Sequence, residues 1–269
     1  MRHYSLAYLS AHRATVPEFI DIASQTGYAY VGLRLRPNLP GAPYQSFIDE
    51  PNVQRETLAR LKNTGVQVFD IEIIRIGAQF DPHDYSALLE AGASLGAKAV
   101  LVASDDDLES RFAENYAKLC EFMKPYGLSA DLEFMPWTGI KNAKAALSAI
   151  RSAGSPVNAG ILVDALHFGR SSTSLEDLGR IPKDLIHYAQ ICDAQAGLGF
   201  TVEEMIQTAR EDRLLPGEGT IDLDGLFATL PNTLPVSIEI PNFNRSNAVG
   251  EKAWAKAAID ATRELLKDN

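Results

Sequence analysis

The amino-acid sequence predicts an α/β protein built as a single (β/α)8 TIM barrel with parallel strands over residues 1–269, and three observations carry that expectation. Short β-rich runs recur at eight places, spaced by about 30 residues, and helical periodicity follows them. Several runs are continuously apolar rather than alternating, as expected of parallel strands buried on both faces. No G-x-G-x-x-G follows the first run, so the competing architecture, a doubly wound dinucleotide-binding sheet, lacks its fingerprint.

The first strand is expected over 4–9 (YSLAYL). Pro17 then sits near the start of a helix in PEFIDIASQTG, where Phe19, Ile20, Ile22 and Ala23 share a face and Gly27 is the stop. The second strand, 30–35, leads into a Pro- and Gly-rich segment, 36–51, long enough to form an active-site flap. A helix over 52–64 carries Val53, Leu58 and Leu61 and ends before Gly65. Strands over 66–76, 99–103 and 128–134 alternate with helices over 84–95, 108–123 and 143–153. The sixth strand, 160–164, precedes a weaker helical segment, 175–185, which Gly179 and Pro182 interrupt. Strands over 188–192 and 236–240, with helices over 202–210 and 248–266, complete the pattern. No composition shift, low-complexity tract or linker divides the chain.

Composition narrows the function. Lys and Arg number 25 against 35 Asp and Glu, a net charge of −10, and 46% of residues are apolar and 22% charged. That excludes disorder, collagen and coiled coil. The absence of a long basic stripe argues against a nucleic-acid partner, and no run of 18 apolar residues is available to cross a membrane. The N-terminal apolar patch is too short and interrupted for a signal peptide. Cys120 and Cys192 lie far apart in apolar contexts and read as reduced, buried side chains. A cytoplasmic protein acting on a small molecule is the expectation. Trp254 and the C-terminal helix either pack on the barrel or form a homo-oligomer interface.

In such barrels chemistry sits at the carboxyl ends of the strands. Four runs carry an oxygen ligand there: Glu133 in DLEFMPW, Asp164 ending ILVD, Gln190 in HYAQICD and Glu239 in VSIEIP. Buried unpaired carboxylates cost several kcal/mol each even after relaxation. Each could be relieved by its own Arg or Lys, but four at one barrel mouth favour one divalent ion, and an all-oxygen set suits Mn, Mg or Co. His167, three residues after Asp164, is a proton-transfer or substrate-binding candidate. The loop 210–219 (REDRLLPGEG) supplies Arg210 and Arg213, forked donors for an anionic group, or else a solvated helix end. Glu72 with Arg75, and Arg34 with Arg36, either pair or line the mouth. Trp137 offers an aromatic face to a substrate, and Asn242 is a weaker candidate. His187 reads as structural, and His3, His12 and His83 carry no signal.

Taken together, these residues resemble the xylose isomerase-like TIM barrels, the sugar phosphate isomerase/epimerase superfamily. The resemblance rests on the Glu of LEF, the Asp164-Ala165-Leu166-His167 run, Gln190-Ile191-Cys192-Asp193, Arg213 with Pro216-Gly217-Glu218-Gly219, and the Glu of SIE. It implies a metal held by Glu133, Asp164, Gln190 and Glu239. It also implies removal of a proton α to the carbonyl of a sugar or polyol, with Glu133 and Glu239 exchanging that proton. Many family members have His where Gln190 stands. Gln there is similar to the 3-dehydroshikimate dehydratases of the same fold, which hold a substrate carboxylate with an Arg of this loop. That branch implies a lyase forming protocatechuate, with His167 as base. A non-catalytic carbohydrate-binding barrel is the remaining alternative.

Overall fold

A computed structural model describes residues 2–267. Eight parallel strands close in sequential order: β1 (Tyr4–Leu6), β2 (Tyr30–Arg34), β3 (Gln67–Ile76), β4 (Ala99–Ser104), β5 (Ser129–Glu133), β6 (Ala159–Asp164), β7 (Ile186–Ile191) and β8 (Val236–Ile238). β8 returns to β1 with Ser5 opposite Ser237, which closes the barrel. The helices among the described residues are α1 (Val16–Thr26), α2 (Pro51–Thr64), α3 (Ser86–Ser94), α4 (Glu109–Met123), α5 (Ala143–Ser152), α6 (Ala165–Gly169), α7 (Leu175–Gly179), α8 (Val202–Glu211), α9 (Leu223–Thr229), α10 (Phe243–Val249) and α11 (Glu251–Leu266).

Local chemistry fixes the helix ends that the sequence marks. Thr15 and Glu18 form a capping box at α1, and Gly27 closes it with φ 93°, a left-handed conformation that costs a glycine nothing. Thr201 and Glu204 repeat the box at α8. Four features depart from expectation. β1 stops at Leu6, because Tyr8–Ala11 winds into a 3-10 turn. The C-terminal helix is broken at Gly250 (φ 86°, ψ 150°) into α10 and α11. α6 is too short to produce a periodic signal. α9 falls in a stretch where no helix was expected: Gly225 depresses helix propensity, but the Asp222 carboxylate caps the first turn through Gly225 N.

Apolar side chains fill two regions. The larger lies between the sheet and the helices, and a smaller one fills the barrel lumen, with Phe69, Leu101, Met135, Leu162 and Tyr188 among its members. Trp254 belongs to the first: it is buried and donates from Nε1 to Ile240 O at 2.8 Å, so it packs on the barrel. Cys120 and Cys192 are buried and unbridged. Among the described residues, no helix is long and apolar enough to cross a membrane.

Candidate active site

Parallel closure brings the strand ends to one mouth, and the polar residues carried there converge. Glu72 (β3), Glu133 (end of β5), Asp164 (end of β6), Gln190 (β7), Glu239 (just past β8) and His167 (α6) are each less than 5% exposed. A cavity of about 480 Å³ opens above them. Glu72, Glu133, Trp137, His167, Arg210, Arg213 and Glu239 line it, as do residues of the Pro-rich segment expected to act as a flap. Asp164 and Gln190 are buried and do not line the cavity.

Asp164 has two jobs. Its Oδ1 caps α6, accepting from the backbone N–H of Leu166 (2.6 Å) and His167 (3.2 Å), which fixes where His167 stands. Its Oδ2 receives Arg213 Nη1 at 2.7 Å. Arg213 Nη2 reaches Glu239 Oε2, also at 2.7 Å, and Arg213 Nε donates to Ala209 O. Arg213 is therefore no solvated helix end. All three of its nitrogens are engaged by the protein, so it is the internal counter-ion of two strand-end acids rather than a free fork for a substrate carboxylate. Arg210, at the end of α8, is the exposed arginine of the pair, with no hydrogen bond or ion pair among the described residues.

The remaining candidates find specific partners. Arg34 pairs with Glu72 at 3.1 Å and lies over the Tyr8 ring, and both residues of that pair face the cavity. Arg75 pairs with Asp105, and Arg36 donates to Asp84 O. Asn242 is structural: it caps α10 and holds the Arg213 carbonyl. His187 pairs with buried Asp131 at 2.7 Å. Trp137 meets His167 edge-on, with ring centroids 4.9 Å apart. His12, stacked on Phe243, also lines the cavity. Only its place just past the first strand could have flagged it in the sequence.

Acidic groups are in excess on this floor. Four carboxyl groups (Glu72, Glu133, Asp164, Glu239) face two buried guanidiniums, Arg34 and Arg213, so the acids outnumber their cationic partners by two. Burial pushes Glu133 well above the usual carboxylate range, and the Asp164 and Glu239 charges push it further. Burial raises Glu239 to about 8 despite Arg213. At Asp164, burial is outweighed by Arg213, so its carboxyl sits below the ordinary range. Burial lowers His167 to about 4, so it is neutral at pH 7 and adds no positive charge.

These residues fit a divalent cation. The side-chain amide of Gln190 lies between the two acids and donates to Glu133 Oε1 at 3.0 Å and to Asp164 Oδ2 at 2.9 Å. Ligand atoms of Glu133, Asp164 and His167 lie within 4.8 Å of one another, which adds His167 to the oxygen set expected from the sequence. Acids in excess of their guanidinium partners, gathered with an imidazole at one point, match one divalent ion, whose charge would let them ionise.

Comparison with known proteins agrees with this fold. An inosose isomerase of Bacillus velezensis is 23% identical over 223 residues, covering 78% of this chain and 77% of that one. The solved structure of the IolI protein with a bound zinc atom superposes with a TM-score of 0.79 at 17% identity, covering 98% of both chains. AsbF of Bacillus anthracis, assigned as a 3-DHS dehydratase, superposes with a TM-score of 0.74 at 14% identity, covering 97% of this chain and 98% of that one. The family described as "Xylose isomerase-like TIM barrel" matches residues 20–265, and this chain belongs to it.

Proposed function

We propose that this chain is a divalent-metal-dependent isomerase or epimerase that removes the proton α to the carbonyl of a polyhydroxylated ketone, with a cyclic ketone such as inosose as the leading substrate. One observation carries the reading: buried acids from β3, β5, β6 and the end of β8 converge beneath one cavity and outnumber their guanidinium partners by two. Curated relatives that are inosose isomerases support the substrate class.

Glu133, Asp164, Gln190 and Glu239 would hold the ion, with His167 beside them. Bound there, a divalent ion supplies Lewis acidity to the carbonyl oxygen on which charge collects. The chain does the rest. One of Glu133 and Glu239, as carboxylate, takes the proton from the carbon next to the carbonyl, and the C–H electron pair moves into a C–C double bond while the oxygen gains charge. The other, held protonated by burial, returns a proton to the same carbon on its opposite face as the carbonyl re-forms, or to the former carbonyl carbon, in which case the proton of the neighbouring hydroxyl passes to the old carbonyl oxygen and the carbonyl forms on the carbon first deprotonated. Arg213 keeps Asp164 and Glu239 in place, and Trp137 fixes the His167 ring from its edge.

The test is exchange in heavy water. Protein loaded with Mn or Mg and given inosose should incorporate deuterium at the α carbon, and Glu239→Gln should stop it with the fold intact. Full exchange by that variant would overturn the roles given.

A lyase reading, with 3-dehydroshikimate converted to an aromatic product, is favoured by two features: Gln190 in place of the usual His, and the unpaired guanidinium of Arg210 at the mouth. There His167 takes the proton and water leaves from the adjacent carbon. Appearance of an aromatic chromophore separates this outcome from isomerisation.

A further inference from the structure

The mechanism above leaves idle a second imidazole–aromatic pair, across the mouth from Trp137. His12 follows the 3-10 turn at the end of β1, and Phe243 opens α10 just past β8. Their rings stack with centroids 4.4 Å apart and planes 30° from parallel, and both line the cavity. β5, whose end leads to Trp137, is four strands from β1 in a ring of eight and so stands opposite it. The cavity therefore runs between two such pairs, His12–Phe243 on one wall and His167–Trp137 on the other.

Structural support does not account for His12. A histidine kept for packing tends to spend its ring nitrogens on the protein, as His187 does on Asp131. Neither ring nitrogen of His12 has a hydrogen-bond partner among the described residues. Burial, helped by Arg13 and Arg34, holds its pKa below the ordinary histidine value against the pull of Glu251. A neutral imidazole offers one N–H donor and one bare acceptor nitrogen. A hydroxyl, itself donor and acceptor, can meet either nitrogen, whereas a carboxylate can meet only the donor. Stacking on Phe243 sets the ring plane in advance, which lowers the ordering cost of that contact.

We infer that His12 is a specificity-determining residue that hydrogen-bonds a ring hydroxyl of the cyclic ketone, with Phe243 fixing its orientation. The inference rests on the isomerase reading and adds to it the recognition of the substrate edge remote from the reacting carbon. A remote contact is made equally in the ground and transition states, so it acts on KM rather than on kcat.

Histidine-ring 1H–15N spectra test it directly, because the chain has only five histidines. His12→Phe keeps the stack, removes the nitrogens and identifies the signals. Titrating Mg-loaded protein with inosose should shift the ring nitrogens of His12 and His167 together and saturably. His12→Phe should raise KM by about fivefold to tenfold, the worth of one neutral hydrogen bond, with kcat within about twofold. His12→Gln, which keeps a donor and an acceptor, should recover part of the loss. Saturable movement of His167 with His12 unmoved would overturn the inference and leave the isomerase reading standing. If neither moves, inosose does not enter the cavity, and both fall.

Discussion

Glu133 is the floor acid with no guanidinium of its own, and its nearest basic partner is the neutral ring of His167, 3.6 Å away. Glu133→Gln should therefore act in opposite directions in the two states of the protein. Without metal it removes the cost of keeping that buried carboxyl protonated at neutral pH and should raise the thermal midpoint, by about 2–4 °C for each kcal/mol gained. With excess Mn it should forfeit the ligand-linked gain, about 2.7 kcal/mol at a hundredfold excess over Kd. Thermal scans with chelator and with Mn check both signs, and a lower midpoint in chelator would contradict the charge accounting. Arg213 shows the converse. Arg213→Met strands Asp164 and Glu239 together and should cost about 3–5 kcal/mol in denaturant unfolding. The acids and the amide were legible as residues because each ends an apolar run. The job of Arg213 was not, since nothing in REDRLLPGEG distinguishes a guanidinium that turns inward from one that stays in water, as Arg210 does.

At the scale of elements, the β7–α8 connection and the Pro-Gly turn are tied by one carboxylate. Asp193 accepts from the backbone N–H of Ala194, Gly217, Gly219 and Ile221, and so holds the end of the segment that carries Arg213. A Cβ at Gly219 would run into Asp193 Oδ1 and the Ala194 carbonyl. Gly219→Ala should cost about 1–3 kcal/mol and loosen that tether, which urea unfolding would register. Lower in the barrel, β5 and β7 are joined by Asp131 and His187. The Asp131 hydrogen bond raises the His187 pKa above its ordinary 6.5. The stability this pair contributes is thus complete below pH 6.5 and is lost as pH rises through the raised value. His187→Gln should destabilise more at pH 6 than at pH 9, and equal losses would refute the linkage. All eight strands were legible, because apolar runs buried on both faces need no periodicity to stand out. α6 and α9 were not: one is a single capped turn, and the other is held by a side-chain cap against its own glycine.

For the molecule as a whole, parallel closure turns residues scattered from position 72 to 239 into one floor, and the register of β6, β7 and β8 sets Asp164, Gln190 and Ser237 side by side. The barrel supplies position, and the excess of acids supplies affinity for a cation. The acidic chain, at −10, favours approach of cations generally, so specific binding must be separated from that diffuse attraction. Calorimetric titration of chelator-treated protein with Mn in 0.15 M salt does so. Wild type should bind one ion per chain with a saturable heat, and Glu133→Gln should lose that site. No saturable heat in the wild type, or the same isotherm in the variant, would contradict the claim that these strand ends hold a metal.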